Sequence, residues 1–164
     1  MTKMNDSFFS AVVAAPFGRM GIRVEDHALR ELVYLPPTYA LRAPADALSR
    51  EVAAQLKAYF KHPDFQFTLT VPEVGTAHQR KVWEQINLIP RGEVLSYAQI
   101  ARRIGSAPRA VGQACGANWY PLIIPCHRVT AANSIGGFAR HDGGFHQQVK
   151  RWLLSHERVP GYCG

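Results

Sequence analysis

Between Val71 and Thr76 the chain changes period, and that change limits its fold more than any other feature. On one side, Phe65 to Val71 alternates apolar and polar residues, the mark of a half-buried strand; on the other, Val82, Trp83, Ile86 and Ile89 return at helical spacing. Pro72 to Gly75 separates the two as a linker. The reading is α+β: a small N-terminal antiparallel sheet with a helix over residues 1–75, then a mostly helical part over 76–164.

In the first part, Phe8 to Ala14, Gly21 to Val24 and Leu29 to Leu35 read as short strands, turned by Gly18-Arg19 and by Glu25-Asp26-His27. Pro36-Pro37 stops the sheet. Asp46 opens a helix with the stripe Leu48, Val52, Leu56, Tyr59 and Phe60, ended by His62-Pro63-Asp64. Met1 to Pro16 loosely imitates a signal peptide, but Asp6 sits in the would-be basic region and the apolar run is short, so a disordered tip leading into a strand is expected. No apolar run is long enough for a transmembrane helix. This part carries no catalytic constellation and is read as a support.

In the second part, the helix bearing Val82 ends at Pro90-Arg91-Gly92, and His78 shares its face as a packed or partly exposed histidine, not a ligand. Ser96 caps a helix with the stripe Tyr97, Ile100, Ala101 and Ile104, stopped by Gly105. Pro108 starts another at once, to about Gly116. Two short helices around a glycine turn read as a helix-turn-helix, with Val111, Ala114 and Cys115 inward and Arg109, Gly112, Gln113 and Gly116 outward. Thr130 to Gly144 reads as a loop. A last helix, Phe145 to His156, has the stripe Val149, Trp152, Leu153 and His156. Glu157 at its end opposes the helix dipole, so it either frays into water or is held by a positive partner.

Charge divides at the same boundary. Residues 1–75 hold eight Lys/Arg and eight Asp/Glu, while 76–164 hold eleven against four, the whole net charge of +7. A basic half beside a neutral one suggests a polyanion, most simply nucleic acid. Three cysteines, Cys115, Cys126 and Cys163, form neither a disulfide framework nor a zinc pattern, which fits a reducing cytoplasm. Cys126 stands in Ile123-Ile124-Pro125-Cys126-His127-Arg128-Val129. A cysteine attacks only as thiolate and is mostly protonated at neutral pH, so it needs a base or a positive neighbour; His127 and Arg128 supply both types.

That run, with Arg109-Ala110-Val111-Gly112 and Asn118 before it and Trp152-Leu153-Leu154-Ser155-His156-Glu157 after it, resembles the O6-alkylguanine-DNA alkyltransferases, from about Gly75 to Glu157. The resemblance implies that Cys126 accepts the alkyl group, His127 is the base acting through a water, Glu157 orients the histidine and Asn118 braces the turn. Tyr97 would donate to the purine and crowd the phosphate, although a core tyrosine on an amphipathic helix is also open. Arg109, Ala110, Gly112, Gln113, Tyr97 and Arg128 would contact DNA, with the second helix in the minor groove and Arg109 filling the gap left by a flipped nucleotide. Cys126, Val129, Phe138 and Ala139 would line the base pocket. The family implies double-stranded DNA containing alkylated guanine as partner, a monomer, no cofactor, no metal, and consumption after one turnover. Against its pattern, Asn118 precedes Trp119-Tyr120 where proline is usual, Phe138 replaces a tyrosine, and the 140–148 loop is longer. The alternatives are a non-catalytic binder of alkylated DNA, a helix-turn-helix regulator, which leaves Cys126 unused, and a thiol hydrolase, which lacks an oxyanion-hole motif.

Overall fold

Two adjacent residues in the left-handed region, Asp26 (φ 52°) and His27 (φ 61°), close a two-residue hairpin in the computed structural model, which describes residues 8–131 and 144–162. Positive φ at both central positions matches the turn to the right-handed twist of its strands, β2 (Gly18–Glu25) and β3 (Ala28–Leu35). β1 (Ala11–Ala15) pairs antiparallel with β2, giving the order β1-β2-β3. The β1–β2 turn falls at Pro16-Phe17, two residues before the expected Gly18-Arg19. Gly18 already belongs to β2: at φ +148°, a Cβ there would lie 2.6 Å from the Leu35 carbonyl oxygen.

Asp46 caps α1 (Ala47–Lys61) in a reciprocal pair with Ser49. Val52, Leu56 and Tyr59 on α1 are buried, and the helix lies against the sheet. Phe9, Val12 and Leu35 form a core with Val33 and Tyr39 packed on it.

The expected strand over 65–71 is absent. Phe65, Phe67 and Leu69 are half-buried and the residues between them exposed, so the alternation is real, but this stretch joins no ladder. Gln55 holds it instead, donating to Thr68 Oγ1 (2.9 Å) and accepting from the Thr68 amide (3.0 Å).

The chain divides into two units, Met1–Glu73 and Val74–Gly164. The second opens with α2 (Ala77–Asn87), capped by Thr76 and Gln79. α3 (Tyr97–Ile104) is capped by Ser96 and Gln99 and closed by Gly105 in the left-handed region (φ 67°). α4 (Pro108–Gly116) starts on proline, whose fixed φ suits a first helical turn. His78 Nε2 and Ser106 Oγ lie 2.8 Å apart, tying α2 to the α3–α4 turn. Trp83 Nε1 donates to the Ala114 carbonyl (3.0 Å), tying α2 to α4.

Two further elements position the cysteine run. β4 (Leu95–Ser96) pairs in parallel with β5 (Val129–Thr130), so Thr130, expected to open a loop, is strand. α5 (Gly144–His156) buries Val149, Lys150, Leu153 and Leu154, a face rotated from the expected stripe. Trp152 and His156 are half-buried and stack on each other, ring centroids 4.4 Å apart. The proposed N-terminal tip before Phe8, and Phe138, Ala139 and residues 140–143, lie outside the described residues, while 144–148 of the expected loop are the first turns of α5.

Candidate active site

The cysteine is set by Asn118, just past the end of α4. Its Oδ1 accepts from the Tyr120 amide (2.9 Å), and its Nδ2 donates to the Ile124 carbonyl (2.9 Å) and to Cys126 Sγ (3.2 Å). One side chain thus holds both ends of the 118–126 turn and the sulfur. The turn passes through Leu122 at φ 77°, strained for a branched residue, and Trp119 stands exposed in it. The proline usual after this asparagine is not needed to form the turn.

Pro125 leads into a single 3-10 turn, Cys126–Arg128, in which Cys126 and His127 are buried. A turn this tight sends successive side chains in different directions. Hydrogen bonding to the Cys115 thiol, then burial and charge on Cys115, push the Cys126 pKa well above its ordinary value; Asn118 and Lys150 pull the other way. At neutral pH the sulfur rests as a thiol.

His127 turns inward, away from solvent. Its Nε2 lies 2.8 Å from Glu157 Oε2, and burial lowers its pKa despite that carboxylate, aided by the charges of Arg128 and Lys150, so the ring is neutral. Burial alone pushes the Glu157 carboxyl up, but the His127 contact and the Arg128 guanidinium outweigh it and hold it well below the usual carboxylate range. An ionised Glu157 accepts, so Nε2 carries the proton and the lone pair falls on Nδ1. Nδ1 is buried and bonds to no described residue.

Glu157 is held by a positive partner, the second of the two outcomes its helix-end position allowed. Arg128 donates through Nε to Oε1 (2.8 Å) and through a terminal nitrogen to Oε2 (3.2 Å). Its other terminal nitrogen donates to the Ile89 carbonyl (2.8 Å). All three guanidinium nitrogens are thus engaged within the protein. This geometry fits a brace for Glu157.

Tyr97 is the first residue of α3, and the β4–β5 pairing brings it beside the cysteine segment. Burial, then charge on Cys115 and Cys126, raise its pKa above the ordinary phenol value, so it stays a neutral donor. A Cβ on Gly112 would sit 4.0 Å from the Tyr97 ring, so the small face of α4 adjoins the phenol. Arg109 and Gln113 are exposed on α4, and Ala110 is half-buried.

Lys150 belongs to the site and was not singled out from the sequence. It is fully buried, its Nζ donates to the Val129 carbonyl (2.7 Å) and it lies 5.9 Å from the centre of the Tyr97 ring. Burial lowers its pKa to about 8, against the pull of Cys115 and Cys126. The only available signal was its place next to Val149 on the apolar side of α5. Among the described residues, no group of three or more His, Cys, Asp or Glu could hold a metal. No helix there is long and apolar enough to cross a membrane.

Residues 77–159 match the family model described as "6-O-methylguanine DNA methyltransferase, DNA binding domain". The chain is 43% identical over 112 residues to the constitutive methylated-DNA–protein-cysteine methyltransferase of Bacillus subtilis, covering 66% of each protein. It is 32% identical over 162 residues to the methylated-DNA–protein-cysteine methyltransferase of Methanosarcina acetivorans, covering 94% of this chain and 99% of that one. Its fold matches the crystal structure of Mycobacterium tuberculosis O6-methylguanine methyltransferase (TM-score 0.74, 32% identity, 92% and 93% of the two chains). It also matches M. tuberculosis OGT in complex with DNA (TM-score 0.72, 32% identity, 92% and 94%). A thiol braced by an asparagine, beside a histidine wired to a buried carboxylate, thus stands within the matched segment, and the chain belongs to the 6-O-methylguanine-DNA methyltransferase family.

Proposed function

We propose that the protein repairs O6-alkylguanine in double-stranded DNA by transferring the alkyl group to Cys126, once per molecule. The observation that carries this reading is the linked set His127, Glu157 and Arg128, in which the neutral imidazole next in sequence to Cys126 keeps a buried Nδ1 lone pair that bonds to no described residue. His127 Nδ1, through a water, takes the Cys126 proton. The sulfur attacks the alkyl carbon, an S–C bond forms, and the C–O6 bond breaks with its electron pair going to guanine. The guanine anion takes a proton from the phenol of Tyr97, which burial keeps protonated for that task. Lys150, in electrostatic reach of Cys126, offsets the transient sulfur charge.

The reactive carbon is out of reach inside a base stack, so the nucleotide must leave the duplex. Exposed Arg109 fills the gap, and Ala110, Gly112 and Gln113 lie along the groove wall. Displacing the resulting thioether would need a far better nucleophile than water, so the acceptor is spent. The protein acts as a cytoplasmic monomer without a cofactor, and residues 1–75 support the domain that reacts.

The test is incubation with an oligonucleotide containing O6-methylguanine, followed by intact mass. One methyl group per protein, mapped to Cys126 and never exceeding one equivalent, is expected; Cys126→Ser should bind the same oligonucleotide and gain nothing. Binding without mass gain would favour a damage-binding protein, and methyl on Cys115 or Cys163 would refute the site.

A further inference from the structure

The outer face of α3 holds a feature that the proposed reaction does not use. Gln99, Arg102 and Arg103 line an open cavity of about 280 Å³. Spaced i, i+3 and i+4, they share one exposed stripe, away from the buried Ile100 and Ala101. Gln99 Oε1 accepts from the Ser96 amide (2.7 Å), which fixes the side chain and leaves Nε2 as a spare donor. Arg102 and Arg103 make no hydrogen bond or ion pair among the described residues, whereas Arg19, Arg23, Arg80 and Arg128 are all engaged by carbonyls or carboxylates. The cavity thus presents N–H donors and two positive charges, with no carboxylate among its lining residues. The C-terminal end of a helix carries about half a negative charge, so one guanidinium answers the dipole of α3 and the second is in excess.

We propose that Gln99, Arg102 and Arg103 form a phosphate-binding site for the DNA backbone, separate from the groove contacts of α4. The guanidinium fork matches the oxygens of a phosphate, and Gln99 Nε2 adds a neutral donor beside it. Charge complementarity selects DNA as the occupant, because the whole positive excess of the chain lies in residues 76–164. Position selects the same duplex. Arg102 and Arg103 sit in the last turn of α3 and the exposed Arg109 in the first turn of α4, with only residues 104–108 between them. Three guanidinium groups without a partner among the described residues therefore flank one tight turn, and a strand that passes the start of α4 also passes the end of α3. Contacts of this kind carry no base preference; they fix the register and angle at which the helix pair sits on the duplex. The site rests on duplex DNA as the partner, as proposed above, and not on transfer to Cys126.

The full chain carrying Arg102→Gln and Arg103→Gln is compared with the unmutated chain on an undamaged duplex, by fluorescence anisotropy at several salt concentrations. Arg50→Gln with Lys57→Gln, both exposed on α1, removes the same charge elsewhere and serves as the control. The α3 pair should weaken binding at low salt and lower the slope of log affinity against log salt by about 1 per arginine. The α1 pair should leave that slope unchanged. A scan of duplexes, each with one phosphate replaced by a neutral methylphosphonate, should find a position that weakens the unmutated protein and has no effect on the α3 pair. The inference falls if the α3 pair keeps the full slope, if the α1 pair lowers it equally, or if no phosphate shows that coupling. If the unmutated chain binds no duplex, the DNA partner and this site fall together. If the coupling is found but no methyl group is ever transferred, the repair reading fails and the phosphate site stands.

Discussion

Replacing Glu157 by glutamine should cost more stability than any surface change. The carboxylate is completely buried and faces Arg128, whose side chain is 16% exposed, and a neutral buried His127. Removing one partner of a buried pair leaves the other charge unanswered, at about 3–5 kcal/mol; water at the edge of Arg128 favours the lower figure, about 3 kcal/mol. Set against a typical stability of about 5–15 kcal/mol, this is a large share. In a unit of this size it lowers Tm by more than about 10 °C. Urea denaturation at pH 7 measures the difference. The folded pKa of Glu157 is depressed, so its contribution is complete above the unfolded carboxylate pKa of about 4.3 and disappears as pH falls through the folded value. The gap between Glu157→Gln and the unmutated protein should therefore hold from pH 7 to about pH 4.3 and narrow below it. Arg128→Met should cost less in the Glu157→Gln background than alone, because no anion is then orphaned, with a coupling of at least about 1 kcal/mol. A loss under about 0.5 kcal/mol with no coupling would mean that water already carries these charges.

Three other outcomes can be checked directly. DNA binding should weaken steeply between about 50 and 200 mM salt, because the positive excess lies in residues 76–164; a flat dependence in a filter-binding titration would remove the charge argument. Arg109→Ala should slow methyl transfer from duplex DNA by about tenfold or more while sparing reaction with free O6-benzylguanine; equal losses would give Arg109 a role in the fold. Lys150→Met should raise the urea midpoint at neutral pH yet slow reaction with free O6-benzylguanine. A folded lysine pKa near 8 marks a disfavoured buried ammonium, and that penalty is relieved only as pH rises from about 8 towards the unfolded value near 10.4. A lower midpoint would assign Lys150 to holding the Val129 carbonyl.

Local signals in the chain were readable wherever one residue decides the outcome alone. Asp46, Ser96 and Gly105 end or begin helices through bonds to their own neighbours, and each does so in the structure. The alternation over 65–71 reported two faces but not a partner strand, and the partner turned out to be the side chain of Gln55. The β4–β5 pair spans only two residues on each side, too short for any pattern. The chemistry of Cys126, His127 and Glu157 could be read from residue types and a family resemblance, but Lys150 could not: a lysine on an apolar face usually reaches outward, and only the packing of α5 buries it. Arg128 reads as a positive neighbour of the thiol and a DNA contact, and its bonds to Glu157 exist only because the fold brings the end of α5 to it.

The two-residue parallel pair between Leu95-Ser96 and Val129-Thr130 makes the reading helices and the reacting sulfur parts of one lever. Ser96 caps α3, α3 carries α4 through a single tight turn, and Val129 follows the turn that holds Cys126. Force that a duplex docked on α4, as proposed, applies there would reach the thiol through main chain. The transmission works in reverse as well. If Cys126 takes the alkyl group as proposed, a bulky adduct on this residue, only 5% exposed, would press back along the same main chain towards α4, so a spent molecule would be one whose hold on its track is altered from within.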